Sequence, residues 1–212
     1  IKGTKARGNF PRKHIRAITA DFVNPPQLDT VIGDHVWKLQ SEYEVPDLLR
    51  YHYLACIAGL IFGGENLPWE LLPQGEIFLS LTPEAQVWYL ATVWFRRFNW
   101  TYEYDDQERY PSSQLKEQII ALFTSYSIGK GIPITQITRE IAAMQDVSYT
   151  EDRLNSLKYF LQRTVIQPLG TFGIIQIIES HPEDAFLSSI LEIRIPELGH
   201  KILEEQRDYF RL

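Results

Sequence analysis

The sequence predicts a mainly α-helical fold with small β hairpins, built as two similar modules around a central helix. Three observations lead to it. Apolar residues recur at helical spacing in most segments, short strand-like pairs follow helices, and the order of these elements repeats once. The 212 residues are 44% hydrophobic and 23% charged, and 13% are aromatic, which is a globular and not a disordered composition.

The first half of the chain is predicted to fold as three helices followed by a hairpin. Pro11 suits the first turn of the first helix, and this helix is expected to end before Pro25. A short second helix is expected within residues 29–40. The third helix is predicted over residues 48–60, and the hairpin strands over residues 60–62 and 69–72. Three helices and a hairpin is the order of a winged helix.

A long helix is predicted over residues 82–98. Thr82 is a good N-cap, and Pro83 suits the first helical position. Because this helix is apolar on nearly every side, more than one of its faces must be buried. We therefore expect an aromatic-rich central helix that joins two modules, the first of which covers residues 1–104 together with this helix.

The second module is expected over residues 112–212, after an acidic linker at residues 103–111. It repeats the same order of elements. The predicted fold class is therefore mainly α with small β wings, as two tandem winged-helix-like modules. The elements of the second module are a helix from Ser113, helices over residues 135–144 and 150–168, strands within 170–178 and 190–195, a wing tip at 181–184 and a last helix over 197–210.

Charge is uneven along the chain. The net charge is −6, but the first twenty residues carry six basic residues and no acid before Asp21. The remaining residues therefore sum to −12. A net-negative domain is a poor default for a nucleic-acid binder, whose affinity depends largely on phosphate neutralisation. A local basic segment can still bind, because salt screening keeps the interaction short-ranged.

Two groups of side chains are candidates for nucleic-acid contact. One is the basic N-terminal segment, and the other is the predicted third helix of the second module, whose polar residues lie largely off its apolar stripe. The third helix of the first module is a weaker candidate, because it offers only Arg50 and His52. The alternative for both groups is a solvated surface. The candidate residues are Lys5, Arg7, Arg12, Lys13, Arg16, Arg153, Asn155, Lys158 and Arg163.

The sequence carries no signature of an enzyme. Cys56 is the single cysteine, and it lies on a helix expected to be buried, so a structural thiol is favoured over a nucleophile. The five histidines fall in separate segments without metal-ligand spacing. We therefore predict no catalytic residue, no metal and no cofactor. No membrane span or signal peptide is recognised, which predicts a cytoplasmic protein.

The residues from Gly3 to Lys13 resemble the T-x-x-G-N-[LF]-P-R-K motif that begins an uncharacterised bacterial winged-helix family. Residues 58–60 (Ala-Gly-Leu) and 94–100 (Trp-Phe-Arg-Arg-Phe-Asn-Trp) are similar to two further motifs of that family. The resemblance covers residues 3–104, and the second half only in pattern. It implies a winged-helix fold and the C-terminal region of a larger protein, in agreement with Ile1 as first residue. It implies no activity.

The expected function is that of a non-catalytic winged-helix module with a nucleic-acid-binding or regulatory role. Duplex DNA is the partner that the basic candidates favour. The alternative is a protein–protein interaction or homodimerisation module that binds no DNA, which the aromatic content favours because Trp and Tyr are common at interfaces. The fold class by itself does not choose between them.

Overall fold

The computed structural model describes residues 3–4, 8–22, 25–100, 112–145, 150–180 and 189–210. The chain divides into two compact units, unit 1 (Ile1–Phe98) and unit 2 (Asn99–Leu212). The described residues are mostly helical and form three small antiparallel sheets. Within them, every helix is too short or too polar to cross a membrane.

Unit 1 contains four α-helices and two separate two-stranded hairpins in its described part. The third predicted helix and the hairpin after it are confirmed, and so is the predicted helix that begins after Thr82. The elements are α1 (Arg12–Ala20), β1 (Asp29–Ile32), β2 (His35–Lys38), α2 (Pro46–Ile57), β3 (Ile61–Gly64), β4 (Leu67–Leu71), α3 (Pro73–Leu79) and α4 (Pro83–Arg96).

The helix predicted within residues 29–40 is wrong, because this segment forms the hairpin β1–β2. Its strands pair antiparallel, with Thr30 opposite Trp37 and Val31 opposite Val36. Gly33 has a φ of 60° at the first position of the two-residue turn, where a left-handed backbone favours glycine. Unit 1 therefore runs helix, hairpin, helix, hairpin and two helices, not three helices and a hairpin.

The N-terminal segment is folded onto the second hairpin. The Gly3 amide donates to the Leu67 carbonyl at 3.1 Å, and the Trp69 indole N–H donates to the Gly8 carbonyl at 2.8 Å. Phe10 then enters a buried cluster with Ile15 of α1. The other buried members of this cluster are Leu39, Val45 and Leu48, and Ile18, Phe22, Leu28 and Trp69 pack against it.

Unit 2 has the first helix, the two helical segments, the hairpin and the last helix that the sequence predicts, and also a short strand at Ile132–Pro133 that it does not predict. Its three-stranded antiparallel sheet has the order β5-β7-β6. The predicted linker at 103–111 and wing tip at 181–184 lie outside the described residues. The elements are α5 (Ser112–Ser125), β5 (Ile132–Pro133), α6 (Ile134–Met144), α7 (Glu151–Leu161), a π-helical stretch (Gln162–Ile166), α8 (Gln167–Thr171), β6 (Gln176–Glu179), β7 (Ile190–Arg194) and α9 (Glu197–Phe210).

The helical residues from Glu151 to Thr171 continue through a π-helical stretch that precedes a proline. Pro168 has no N–H to give to the carbonyl four residues earlier, and its ring crowds that carbonyl. A wider π turn relieves this crowding, so the chain stays helical. Thr164, Val165 and Ile166 of this stretch are buried, which fixes its orientation in unit 2.

Candidate nucleic-acid interface

The predicted contact residues fall into one group in each unit. Arg12, Lys13 and Arg16 are exposed on α1 of unit 1. Lys5 and Arg7 lie outside the described residues. The remaining four belong to unit 2, where Arg153, Asn155 and Lys158 lie on α7 and Arg163 lies in the π-helical stretch.

Asn155 lies on the side of α7 that faces away from the unit 2 core, whereas Arg153 lies one turn before the buried Leu157 and is exposed at the start of the helix. Leu157, Phe160 and Leu161 are buried, whereas Arg153 and Asn155 are exposed. The helix begins at Thr150, whose hydroxyl accepts a hydrogen bond from the Arg153 amide at 3.4 Å. Glu151 and Asp152 follow in the first turn, where carboxylates stabilise the helix dipole. Lys158 is half-buried at the edge of this face.

Tyr159 belongs to the same face and was not among the predicted residues. Its side chain is 54% exposed, and its hydroxyl accepts a hydrogen bond from Nη1 of Arg163 at 3.2 Å. Asn155, Tyr159 and Arg163 lie four residues apart, which places them on successive turns of one helix face. We call the exposed residues Asn155, Tyr159 and Arg163 the α7 face.

The α7 face carries the donor types that bind nucleic acid. A guanidinium group such as that of Arg163 binds phosphate or the edge of guanine with two hydrogen bonds. The Asn155 amide can pair with adenine, and the Tyr159 hydroxyl can donate to a phosphate oxygen. The face therefore offers one cation and two neutral hydrogen-bonding groups on one exposed surface, and Arg153 adds a second cation at the start of the helix.

The α1 group lies beside the hairpin β1–β2. Nε of Arg12 donates to the Gln40 carbonyl at 3.3 Å, just after β2, and Arg16 forms an ion pair with Asp29 at the start of β1. The hydrogen bonds that Asp29 accepts from Arg16 and from the Leu39 amide lower the pKa of its carboxyl group. Lys13 is exposed on the same helix.

Arg50 and His52 do not form an exposed surface on α2, because both are buried. Arg50 contacts Asp47 at 2.8 Å, and Nδ1 of His52 lies 2.6 Å from Oε1 of Glu42, which is fully buried. The expectation that α2 offers these two side chains to a ligand is wrong. The partner of His52 lies outside α2, so the spacing within the helix does not reveal it.

The thiol of Cys56 is half-buried. Burial, followed by the nearby Glu42 carboxylate, raises the pKa of Cys56 to about 11. The thiol is therefore protonated near neutral pH, which disfavours nucleophilic attack. Within the described residues, no group of three or more His, Cys, Asp and Glu side chains is arranged to hold a metal ion.

The chain matches none of the family models, curated proteins or solved structures with which it was compared.

Proposed function

We propose that the protein is a non-catalytic nucleic-acid-binding protein, in which unit 2 is a winged-helix module that docks α7 on duplex DNA. The order of elements from α5 to β7 supports this fold for unit 2, as does the position of β7 between β5 and β6. In such a module, the helix before the hairpin enters the major groove. That helix here is the continuous helical segment from Glu151 to Thr171, whose first part is α7.

The observation that carries the proposal is the α7 face. Its three side chains are exposed together on the helix that the module would present to DNA, while the opposite side of α7 is buried, and Arg153 is exposed at the start of the same helix. The proposal is restricted to unit 2, because the extra hairpin β1–β2 in unit 1 departs from the winged-helix order. The resemblance of residues 3–13 to a winged-helix family stays a prediction.

Charge limits how strong this binding can be. Unit 2 has eleven basic and seventeen acidic residues, so only a local cluster of cations can bind a polyanion. Glu179 and Glu192 lie on the hairpin strands, where the Glu192 carboxylate is paired with Arg194 at 2.9 Å. We therefore expect the helix and not the hairpin to make the contacts, through Arg153, Lys158 and Arg163. Three phosphate contacts correspond to a slope of log K against log salt of about −3.

Charge reversal of Arg163 is expected to weaken duplex binding. Arg163→Glu removes one guanidinium from the α7 face, so the affinity should fall by about 5- to 150-fold and the salt slope should become shallower by about 1. The measurement is fluorescence anisotropy of a labelled random duplex at several salt concentrations.

Lys201→Glu is the matched control, because it makes the same change of charge at an exposed position on α9 of the same unit. It should change the affinity by no more than about two-fold, the range of general electrostatic effects at a distance. Equal effects of the two reversals would contradict docking through α7.

A protein-docking role is the second candidate function. It is favoured by a group of exposed apolar side chains on unit 1. They lie on the hairpin β3–β4 and on α3, and each is between 47% and 63% exposed. Single exposed apolar residues are common, but a group of this size within eighteen residues is typical of an interface. The residues are Phe62, Leu67, Leu71, Ile77 and Leu79.

If this apolar group binds a second copy of the chain, sedimentation velocity should show a monomer–dimer equilibrium. Leu79→Glu should shift that equilibrium to the monomer, because a charge would be buried in the interface. Leu198→Glu, at a comparably exposed position on α9, should leave it unchanged. A chain that remains monomeric at the highest concentration tested would contradict a homodimer.

A further inference from the structure

We propose that the buried pair Glu42–His52 of unit 1 is a pH-sensitive clasp for the N-terminal segment, whose described residues are 3–4 and 8–10. The clasp is closed while a proton lies between the two side chains, and it opens in acid, when the carboxyl group and the imidazole are both protonated. The inference goes beyond the docking of α7 on DNA, since it concerns unit 1 and other residues. Either can fail without the other.

The N-terminal segment is attached to unit 1 by hydrogen bonds along its length. Those of Gly3 and Gly8 join it to β4 through uncharged groups. At Phe10 the backbone N–H donates instead to Oε2 of Glu42, at 3.0 Å. Of these three attachments, the one at Phe10 therefore depends on an ionisable partner.

Both oxygens of the Glu42 carboxylate are engaged. Oε2 accepts the hydrogen bond of Phe10, and Oε1 lies 2.6 Å from Nδ1 of His52. One proton between Oε1 and Nδ1 satisfies this contact, whichever of the two atoms carries it. When both groups are protonated, the carboxyl O–H meets a donor at either oxygen. We therefore expect one of the two hydrogen bonds of Glu42 to be lost in acid.

The acid form also leaves a buried charge without a counter-ion. Glu42 is fully buried and His52 is only 6% exposed, and Nε2 of His52 has no hydrogen-bond partner among the described residues. An imidazolium in this position is costly unless water reaches it. The Phe10 ring is stacked on the His52 ring, with centroids 4.3 Å apart. Displacement of Phe10, and with it the N-terminal segment, would let water reach the charged ring.

The other ionisable side chains of α2 do not supply the missing negative charge. Arg50 is a cation and contacts Asp47. The Tyr53 ring lies 6.2 Å from the His52 ring, and a phenol is uncharged in neutral and acid solution. The Glu42 carboxylate adds to the effect of burial in raising the pKa of Cys56 to about 11, so this thiol is uncharged as well.

The elements packed around the pair do not supply it either. Glu44, in the same helical turn as Glu42, accepts hydrogen bonds from the backbone amides of residues 40 and 41. Glu70 follows Trp69 on β4, so it points to the opposite face of the strand. The α1 residues nearest the Phe10 ring are apolar, with Ile15 and Ile18 in its cluster. Glu42 is thus the anion on which a charged His52 depends.

The test is hydrogen exchange of the Phe10 amide in the full chain, measured by NMR as a protection factor, which corrects for the intrinsic effect of pH. Between about pH 7 and about pH 4, imidazole and carboxyl groups ordinarily take up protons. Over this range the protection of Phe10 should fall by about 5- to 150-fold, the effect of leaving one buried polar group unsatisfied. The amide of Leu54, which is buried in α2, should remain better protected than that of Phe10 in acid, because the opening is local.

His52→Asn should abolish the acid effect. Its amide can donate to the Glu42 carboxylate at neutral pH and accept from the carboxyl O–H in acid, so the protection of Phe10 should change by no more than about two-fold between the two pH values. His35→Asn is the matched control, since it makes the same substitution at an exposed position on β2 and should keep the wild-type response. Comparing the two pH values within each variant removes any difference in overall stability.

Three results would overturn the proposal. The first is a wild-type Phe10 amide whose protection changes by less than about two-fold between the two pH values. The second is an acid loss in His52→Asn as large as that in His35→Asn. The third is equal protection of Phe10 and Leu54 in acid, which would show that unit 1 unfolds as a whole and that the pair releases no separate segment.

Discussion

Replacement of Glu42 by alanine is expected to lower the free energy of unfolding of unit 1 by about 3–5 kcal/mol. The Glu42 carboxylate is fully buried, accepts a hydrogen bond from the Phe10 amide at 3.0 Å and lies 2.6 Å from Nδ1 of His52. The Phe10 ring is stacked on the His52 ring, and the Trp69 ring meets it edge-on, each at a centroid distance of 4.3 Å. Without the carboxylate, a buried imidazole and a buried amide lose their partner.

Hydrogen exchange of the α2 backbone amides measures this loss within unit 1. Glu42→Gln keeps the shape of the side chain and one acceptor oxygen, so it should lose less stability than Glu42→Ala. Glu76→Ala is the control, since Glu76 is exposed in the first turn of α3, and it should cost no more than about 1 kcal/mol. A loss below that value for Glu42→Ala would contradict a structural role for the buried pair.

Replacement of Gly199 by alanine is expected to destabilise unit 2 by about 3 kcal/mol. Helix propensity alone predicts the opposite sign, because alanine stabilises a helix interior by about 1 kcal/mol relative to glycine. Gly199 is buried near the start of α9, and a Cβ there would overlap the backbone carbonyl oxygen of Ile174. Since this obstacle is backbone and not a flexible side chain, the overlap should cost as much as the upper range for overpacked cores.

Urea unfolding followed by circular dichroism tests the sign. Leu198→Ala is the adjacent control in α9, and its exposed side chain should make little difference. Gly199→Ala should unfold at a lower urea concentration than either wild type or this control. An increase in stability would show that α9 does not approach Ile174 so closely.

The helices and strands of unit 2 follow from local sequence signals. Thr150 caps α7 with its own hydroxyl, and Ile134, Ile137 and Ile141 form the buried stripe of α6 at helical spacing. Such signals depend on neighbours in the sequence, so they can be read without knowledge of the fold. The same periodicity would also have found Tyr159, one turn after Asn155 on the α7 face.

The incorrect predictions in unit 1 have two causes, a missed local turn signal and partners that are distant in the sequence. The helix predicted within residues 29–40 includes Val31, Val36 and Trp37, although a two-residue Gly-Asp turn in a segment rich in β-branched residues is a hairpin signal. Arg50 and His52 are predicted among the side chains that α2 exposes, but both are buried. His52 is instead held by Glu42, which precedes α2 by a short segment, and by two aromatic rings from remote parts of the unit. The spacing within α2 does not reveal such partners.

Titration of the wild-type chain with a short random duplex, at about 50 mM and about 200 mM salt, tests the central claim most directly. Docking through Arg153, Lys158 and Arg163 predicts binding at the lower salt that weakens by about 40-fold at the higher salt, the change expected for three phosphate contacts. Absence of binding at the lower salt would contradict a nucleic-acid-binding role for α7.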